Sequence, residues 1–133
     1  MPVEKKKDLS KWFAISYNGD LYIQGTMMNK KNVKGSLDSK PHWSMRFYRV
    51  FYKGPFLYFE MKPKDPAMYS PENVFGAVYD THHQKFFVFN KNNDVQDYLK
   101  ECFPDLHYEG ISNANINFYQ LRNFFSELNS LKN

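Results

Sequence analysis

Residues 42–62 read HWSMRFYRVFYKGPFLYFEMK, and this stretch decides how the rest of the chain is interpreted. Aromatic and β-branched residues dominate it, and its side chains alternate with the two-residue period of a strand. Lys53-Gly54-Pro55 interrupts the alternation, which resumes over residues 56–61. We therefore predict a hairpin of two strands that buries at least one face. One face of its first strand carries Trp43, Met45, Phe47, Arg49 and Phe51, and the other carries Ser44, Arg46, Tyr48 and Val50.

Length and composition favour a single domain. The 133 residues can bury a sizeable core, and 19% of them are aromatic. We expect residues 1–10 to be a disordered basic N-terminus and residues 11–133 to form one domain. The sequence shows no apolar run long enough to span a membrane and no signal peptide, and its single cysteine fits a reducing compartment. A net charge of +4 is compatible with anionic partners, either lipid or nucleic acid.

Local patterns extend the β interpretation to both sides of the hairpin. Asn18-Gly19 is a strong signal for a two-residue hairpin turn, because both residues tolerate positive φ. The prolines of residues 63–72 indicate a loop. The pattern predicts further strands over residues 11–17, 21–28, 73–79 and 85–90, and polar loops over residues 29–41 and 63–72.

After residue 93 the apolar period becomes helical. A stripe that includes Val95, Tyr98, Leu99, Cys102 and Phe103 predicts a helix over residues 94–103. Residues 106–111 can form a last strand, and a longer helix is predicted over residues 114–131. The apolar set of that terminal helix is Ile116, Tyr119, Leu121, Phe124, Phe125, Leu128 and Leu131.

This element order and several local sequences resemble the pleckstrin homology (PH) superfamily. LYIQG at residues 21–25 resembles the family's first strand, WSMRFYRV at 43–50 its basic-aromatic second strand, and LYF at 57–59 its third. Residues 107–131 resemble its last strand running into the C-terminal helix. The resemblance implies an α+β, mainly β fold: a seven-stranded bent antiparallel PH-like barrel closed by a C-terminal helix, with an extra short helix before the last strand.

The resemblance also implies where an anionic lipid binds. Lipid-binding members use a lysine at the end of the first strand and two basic residues, spaced one apart, on one face of the second. Lys30 or Lys31 matches the first position and Arg46 the last, whereas the middle position is the uncharged Ser44. A charge-assisted contact is worth roughly 1.5–3 kcal/mol, so its absence predicts weak, salt-sensitive binding. The candidate lipid-binding residues are Lys30, Lys31, Lys34 and Arg46.

A narrower resemblance is to small PH-like proteins of the apicomplexan inner membrane complex, the sub-compartment proteins, and to an acylated PH-like protein. The Lys/Asn/Phe/Tyr-rich composition suits such an organism. Those proteins share a lipidated start with a glycine after the initiator methionine, whereas this chain begins Met1-Pro2 and has no early cysteine. The resemblance implies a non-enzymatic docking or scaffold module, peripheral at the cytosolic face of a membrane, that binds a protein partner, a weakly held anionic phospholipid, or both.

No pattern predicts catalysis, a cofactor or a metal ion. The chain contains no GxSxG, Walker or GxGxxG sequence. His82 and His83 follow Asp80 without any chelating spacing, which favours solvated turn histidines. Cys102 lies on the apolar helical stripe, which favours a small buried side chain.

The alternative from another class is a single-stranded nucleic-acid-binding β-barrel. KFFVFN at residues 85–90 is superficially similar to the aromatic strand of an RNA-recognition motif. That motif requires a β-α-β-β-α-β order, whereas five or six predicted strands precede the first helix here. The alternative predicts exposed Phe and Tyr rings along one face of a sheet.

Overall fold

The computed structural model describes residues 13–25, 33–35, 47–62, 67, 74–89, 92–106 and 118–132. Within these ranges the chain forms seven strands followed by two helices. The strands are β1 (Ala14–Tyr17), β2 (Asp20–Gln24), β3 (Val33–Gly35), β4 (Phe47–Arg49), β5 (Phe56–Met61), β6 (Phe75–Asp80) and β7 (Lys85–Phe89). The helices are α1 (Asn92–Cys102) and α2 (Phe118–Lys132).

The tight hairpin at Asn18-Gly19 is confirmed. Strand β1 pairs antiparallel with β2, and Tyr17 lies opposite Asp20 across the turn. Asn18 has a φ of 51° and Gly19 a φ of 82°. Two successive positive φ angles are typical of the two-residue turn whose twist matches that of the flanking strands. Local chemistry alone therefore determines this part of the fold.

The described strands divide between two sheets and do not close into a barrel. One sheet is antiparallel, in the order β1-β2-β4, and the other has the order β3-β7-β6-β5. In the second sheet β3 lies parallel to β7, and the remaining pairs are antiparallel. The seven-stranded bent antiparallel barrel is therefore wrong, while the α+β, mainly β class is confirmed. Strand β3 also falls within residues 29–41, for which the polar pattern predicts a loop.

The hairpin predicted over residues 42–62 is wrong as well. Strand β4 pairs with β2 and β5 pairs with β6, so the two halves of that stretch belong to different sheets. A backbone hydrogen bond from Phe51 N to Tyr58 O, at 2.8 Å, links them. Gly54 redirects the chain: its φ is 146°, and a Cβ at this position would collide with the side chain of Asn129. The chain therefore crosses from one sheet to the other.

Strands β5, β6 and β7 of the four-stranded sheet are buried on both faces, which explains why they are almost continuously apolar. Such a sheet needs a packing layer on each side, and this requirement favours stacked layers over a barrel with one wet face. The face against the three-stranded sheet packs Leu57, Phe59, Met61, Phe75, Ala77, Phe86 and Val88 around Ile23 and Tyr48. The opposite face packs Phe56, Tyr58, Val78, Phe87 and Phe89 against Val95, Tyr98, Leu99, Leu121, Phe124, Phe125 and Leu128 of the helices.

Both predicted helices are present, with corrections. Helix α1 begins at Asn92, two residues before the predicted start. Helix α2 is described from Phe118, and residues 107–117, which include most of the possible last strand, lie outside the described residues. Tyr119 and Leu131 are 75% and 76% exposed, so their assignment to the apolar stripe of this helix is wrong. Tyr119 lies off the 3.6-residue stripe, and Leu131 is in the last turn of α2.

A charged network attaches α2 to β5 of the four-stranded sheet. Arg122 donates to both carboxylate oxygens of Glu60, from Nε at 2.8 Å and from Nη2 at 2.7 Å. The Tyr58 hydroxyl donates to Glu60 Oε2 at 2.9 Å. The Arg122 guanidinium also lies 4.9 Å from the centroid of the Phe51 ring. Among the described residues Glu60 thus links β5 to α2, and its side chain is buried beneath the helix.

The buried hydroxyl of Tyr58 makes stability sensitive to alkaline pH. Burial, reinforced by the neighbouring Glu60 carboxylate, raises the pKa of Tyr58 well above its usual 10.0. Above about pH 10 the hydroxyl of this tyrosine loses its proton in the unfolded chain but keeps it in the folded chain, so unfolding becomes more favourable. We expect the contribution of Tyr58 to the unfolding free energy to fall by about 1.4 kcal/mol per pH unit there.

A Tyr58→Phe variant tests this expectation. Between about pH 9 and about pH 11, the unfolding free energy measured in urea should fall by about 1.4 kcal/mol more in total for the wild type than for Tyr58→Phe. Asn123→Ala, which changes an exposed side chain and no ionisable group, is the control and should keep the wild-type pH dependence. Identical slopes for wild type and Tyr58→Phe would contradict the assignment.

Candidate functional site

The predicted lipid site falls mostly outside the described part of the chain. Lys30, Lys31 and Arg46 are not among the described residues. Lys34 lies in β3, opposite Phe87 of β7, and only its backbone is described. Their assignment as a lipid-binding set therefore stays a prediction. The described residues contain a different surface that bears on the same function.

Three connections between strands meet at one end of the sandwich. They are the β1–β2 turn at residues 18–19, the β4–β5 connection at residues 50–55 and the β6–β7 turn at residues 81–84. The Lys53 ammonium donates to the carbonyl of Gly19 at 2.7 Å, which joins the first two. Thr81 joins the last two, since its N–H and hydroxyl donate to the Pro55 carbonyl at 3.0 and 2.8 Å. We call this end of the molecule the turn end.

Asn129 brings the last turns of α2 to the turn end. Its side-chain amide donates to the Phe56 carbonyl at 2.8 Å and to the Phe125 carbonyl at 2.9 Å. Its oxygen accepts the N–H of Phe56 at 2.9 Å. All three bonds are buried, so Asn129 satisfies both backbone groups of the first residue of β5. The packing of Gly54 against the same side chain explains why the β4–β5 connection needs a glycine there.

The chain that follows α1 reaches the same end. The Phe103 ring lies 5.6 Å from that of Phe56, and so does the ring of His82. Leu106 donates its N–H to the Phe103 carbonyl at 3.0 Å, which holds the segment after α1 in a tight turn. The turn end thus comprises three strand connections and the ends of both helices.

Exposed apolar side chains and exposed basic side chains both lie on the turn end. Tyr17 is 43% exposed, Leu106 is 39% exposed, and Leu131 is more exposed than either. Arg49 and Lys53 are exposed cations beside the β1–β2 turn. Arg49 lies 3.7 Å from the Asp20 carboxylate, an exposed ion pair of the kind that contributes little. Its charge is therefore available to an anion, whereas the charge of Arg122 is engaged by the buried Glu60 carboxylate.

A cavity of about 330 Å³ lies between α1 and β7. Aromatic and β-branched residues of β7 and α1 line it together with three acidic residues of α1. Negative charge in its lining repels an anionic headgroup, so this cavity is unsuited to a phospholipid. The lining residues are Phe87, Val88, Phe89, Asp94, Asp97, Tyr98 and Glu101.

A second polar cluster lies where the β6–β7 turn meets the end of α1. The buried Asp80 carboxylate accepts the N–H groups of His82 and His83 on Oδ1, at 2.9 and 3.1 Å. Its Oδ2 is 2.9 Å from His83 Nδ1 and accepts the Tyr98 hydroxyl at 3.1 Å. Burial, with the Asp80 charge second, raises the pKa of Tyr98, so this hydroxyl remains a donor.

Cys102 completes this cluster. Its Sγ, a nitrogen of His83 and a carboxylate oxygen of Asp80 all lie within 4.8 Å of one another. These three donor types suit a borderline-soft divalent metal ion. The sequence conceals the arrangement because Cys102 lies far along the chain from the turn. The only local signal is the Asp80-x-x-His83 spacing. His82 and His83 are exposed residues of the turn, as predicted, and Asp80 in addition holds His83 in place.

The described strands do not show the row of exposed rings that single-stranded nucleic-acid binding requires. The rings of the four-stranded sheet form the two core clusters instead. This burial weighs against a stacking platform on the described sheet faces. The buried rings are Phe56, Tyr58, Phe59, Phe75, Phe86, Phe87 and Phe89.

Neither described helix combines the length and apolar character that crossing a membrane requires. Comparison with protein-family models finds no matching family, and searches of the curated proteins and of the solved structures find no significant match.

Proposed function

We propose that this protein is a non-enzymatic docking module that contacts an anionic membrane surface through its turn end, on the cytosolic side. The observation that carries the proposal is the composition of that end. Exposed Tyr17, Leu106 and Leu131 and the cations Arg49 and Lys53 all lie at this end, in or next to connections that are tied to one another and to α2. Peripheral membrane contacts combine these two features, because cations attract lipid phosphates while apolar side chains enter the interface.

The expected affinity is low. A basic residue near an anionic membrane contributes about 1 kcal/mol, and this contribution falls with salt. Two cations and three partly exposed apolar side chains therefore provide reversible attachment. Stable localisation then requires a second contact, as it does for most peripheral proteins. A protein partner supplies that second contact in our proposal, and the lipid contact orients the domain on the membrane.

Support also comes from the overall charge and from the resemblance noted in the sequence. The net charge of +4 favours anionic surfaces in general. The resemblance of residues 43–50 to a basic-aromatic strand of lipid-binding PH-superfamily members points to the same class of ligand. Lys30, Lys31, Lys34 and Arg46 form a separate predicted contact. The vesicle-binding experiment therefore includes Arg46→Ala as a separate variant.

Vesicle co-sedimentation tests the proposal. The turn-end variant combines Lys53→Glu with Leu131→Ser, and its matched control combines Lys62→Glu with Tyr119→Ser. Each pair reverses one charge and removes one apolar surface, but Lys62 follows the far end of β5 and Tyr119 is in the first turn of α2. We expect the wild type to bind phosphatidic-acid or phosphatidylserine vesicles at low salt and to detach at high salt.

The turn-end variant should lose roughly tenfold to a hundredfold in affinity, while the control stays near wild type. An equal loss in both variants, or equal binding to neutral vesicles, would contradict a turn-end contact. A loss confined to Arg46→Ala would instead assign lipid binding to the predicted basic residues. Absence of binding to every vesicle would leave protein docking as the function. Thermal unfolding of each variant confirms that it is folded.

A further inference from the structure

We propose that Asp80, His83 and Cys102 form a binding site for a divalent transition-metal ion, with Zn²⁺ the best fit. The three side chains come from different parts of the fold: the end of β6, the β6–β7 turn and the last residue of α1. Their nitrogen, oxygen and sulfur atoms nevertheless converge to within 4.8 Å. Zinc accepts all three donor types, whereas calcium and magnesium favour oxygen alone.

The spacing of the donor atoms is close to what a metal ion requires. Ligands at zinc bond lengths in a tetrahedral site are roughly 3.3–3.7 Å apart. His83 Nδ1 and Asp80 Oδ2 are already 2.9 Å apart, slightly inside that range. The sulfur lies within 4.8 Å of both, so a shift of about 1 Å in the side chain of Cys102 brings it into range. On binding, the ion replaces the proton between His83 and Asp80, and the Cys102 thiol loses its proton.

The groups around Asp80 already orient it as a ligand. Two backbone N–H groups of the turn hold Oδ1, and the Tyr98 hydroxyl donates to Oδ2. Hydrogen bonds of this kind fix the direction of a ligating carboxylate and raise metal affinity in known sites. The Asp80 side chain is fully buried, whereas the His83 side chain is 43% exposed, which provides a path of entry from solvent.

Three protein ligands leave a position for water or for an additional donor. Such an incomplete shell is unlike the closed four-ligand shell of a structural zinc site. The site also joins the β6–β7 turn to the end of α1, and both belong to the turn end. Metal binding therefore stabilises that end, because an ion that binds the folded state alone raises the unfolding free energy.

Titration of the reduced protein with Co²⁺, as a spectroscopic substitute for Zn²⁺, tests the site. We expect one Co²⁺ per chain, a near-ultraviolet charge-transfer band from thiolate to cobalt, visible bands of a four-coordinate ion, and displacement of both signals by Zn²⁺. Cys102→Ser should abolish the charge-transfer band. His83→Asn should weaken binding by roughly tenfold or more. His82→Asn alters the neighbouring histidine of the same turn and should bind as the wild type does.

Two outcomes would overturn the proposal: no thiolate charge-transfer band in wild type, or binding that His83→Asn and Cys102→Ser leave unchanged. A loss in His82→Asn equal to that in His83→Asn would also contradict the ligand set. Protection of Cys102 from alkylation by Zn²⁺ gives a second measurement on the wild-type chain. It does not depend on whether a variant folds, and an alkylation rate unaffected by Zn²⁺ would count against the site.

Discussion

Replacing Asn129 with alanine is expected to destabilise the protein by about 2 to 5 kcal/mol. The side chain is buried and bonds both the N–H and the carbonyl of Phe56, as well as the carbonyl of Phe125. Its removal leaves two backbone groups of Phe56 without these partners, and each buried group left unsatisfied costs roughly 1–3 kcal/mol. Urea unfolding followed by circular dichroism measures the difference.

Asn123 provides the matched control, because it lies on the exposed side of the same helix. Asn123→Ala should change the unfolding free energy by less than about 0.5 kcal/mol. If Asn129→Ala cost no more than this control, the contact between α2 and the β4–β5 connection would not stabilise the fold. The turn end would then lack the rigid base on which its exposed side chains depend.

The second large effect is expected at the Arg122–Glu60 ion pair, whose carboxylate is buried and whose guanidinium is partly exposed. Arg122→Leu should cost about 3–5 kcal/mol, because it leaves the Glu60 carboxylate buried without its cation. Replacing both partners by leucine should recover much of that loss, since a well-packed apolar pair removes the uncompensated charge. A double-mutant cycle of Glu60→Leu and Arg122→Leu measures the coupling.

Arg49→Leu is the control for an exposed pair. Its contact with Asp20 at 3.7 Å is solvated on both sides, so the cost should stay below about 1 kcal/mol. If Arg122→Leu had an equally small effect, Glu60 would not depend on Arg122. If the double variant were less stable than Arg122→Leu alone, the apolar replacement would not fit beneath α2.

Local patterns predicted the parts of the fold that local chemistry determines. Asn18-Gly19 forms the expected tight turn, and the stripe containing Val95 and Leu99 forms the expected helix. The pairing partners of the two strands within residues 42–62 could not be predicted from local patterns. The alternation is real in both strands, but pairing partners depend on which sheet each strand joins. At the crossing between the sheets, Gly54 packs against Asn129, 75 residues further along the chain, a contact that no local pattern shows.

The candidate site was only partly accessible from the sequence. In the sequence Lys53 is only part of a turn signal, and no neighbouring residue indicates that its ammonium donates to the Gly19 carbonyl. Leu131 fits a helical apolar stripe, yet it is exposed at the last turn of α2. Cys102 and His83 come together only through the packing of α1 against the four-stranded sheet. Exposure and convergence are tertiary properties, which periodicity does not encode.

The orientation of the domain on a membrane tests the central claim most directly. A nitroxide label can be placed at Tyr17→Cys, on the turn end, or at Tyr119→Cys, near the start of α2, each in a Cys102→Ser background. Both sites are exposed in the free protein. With anionic vesicles, we expect the label at position 17 to lose access to a water-soluble relaxation agent, while the label at position 119 retains it. Equal access at both positions on bound protein, or protection at position 119 alone, would contradict a membrane contact through the turn end.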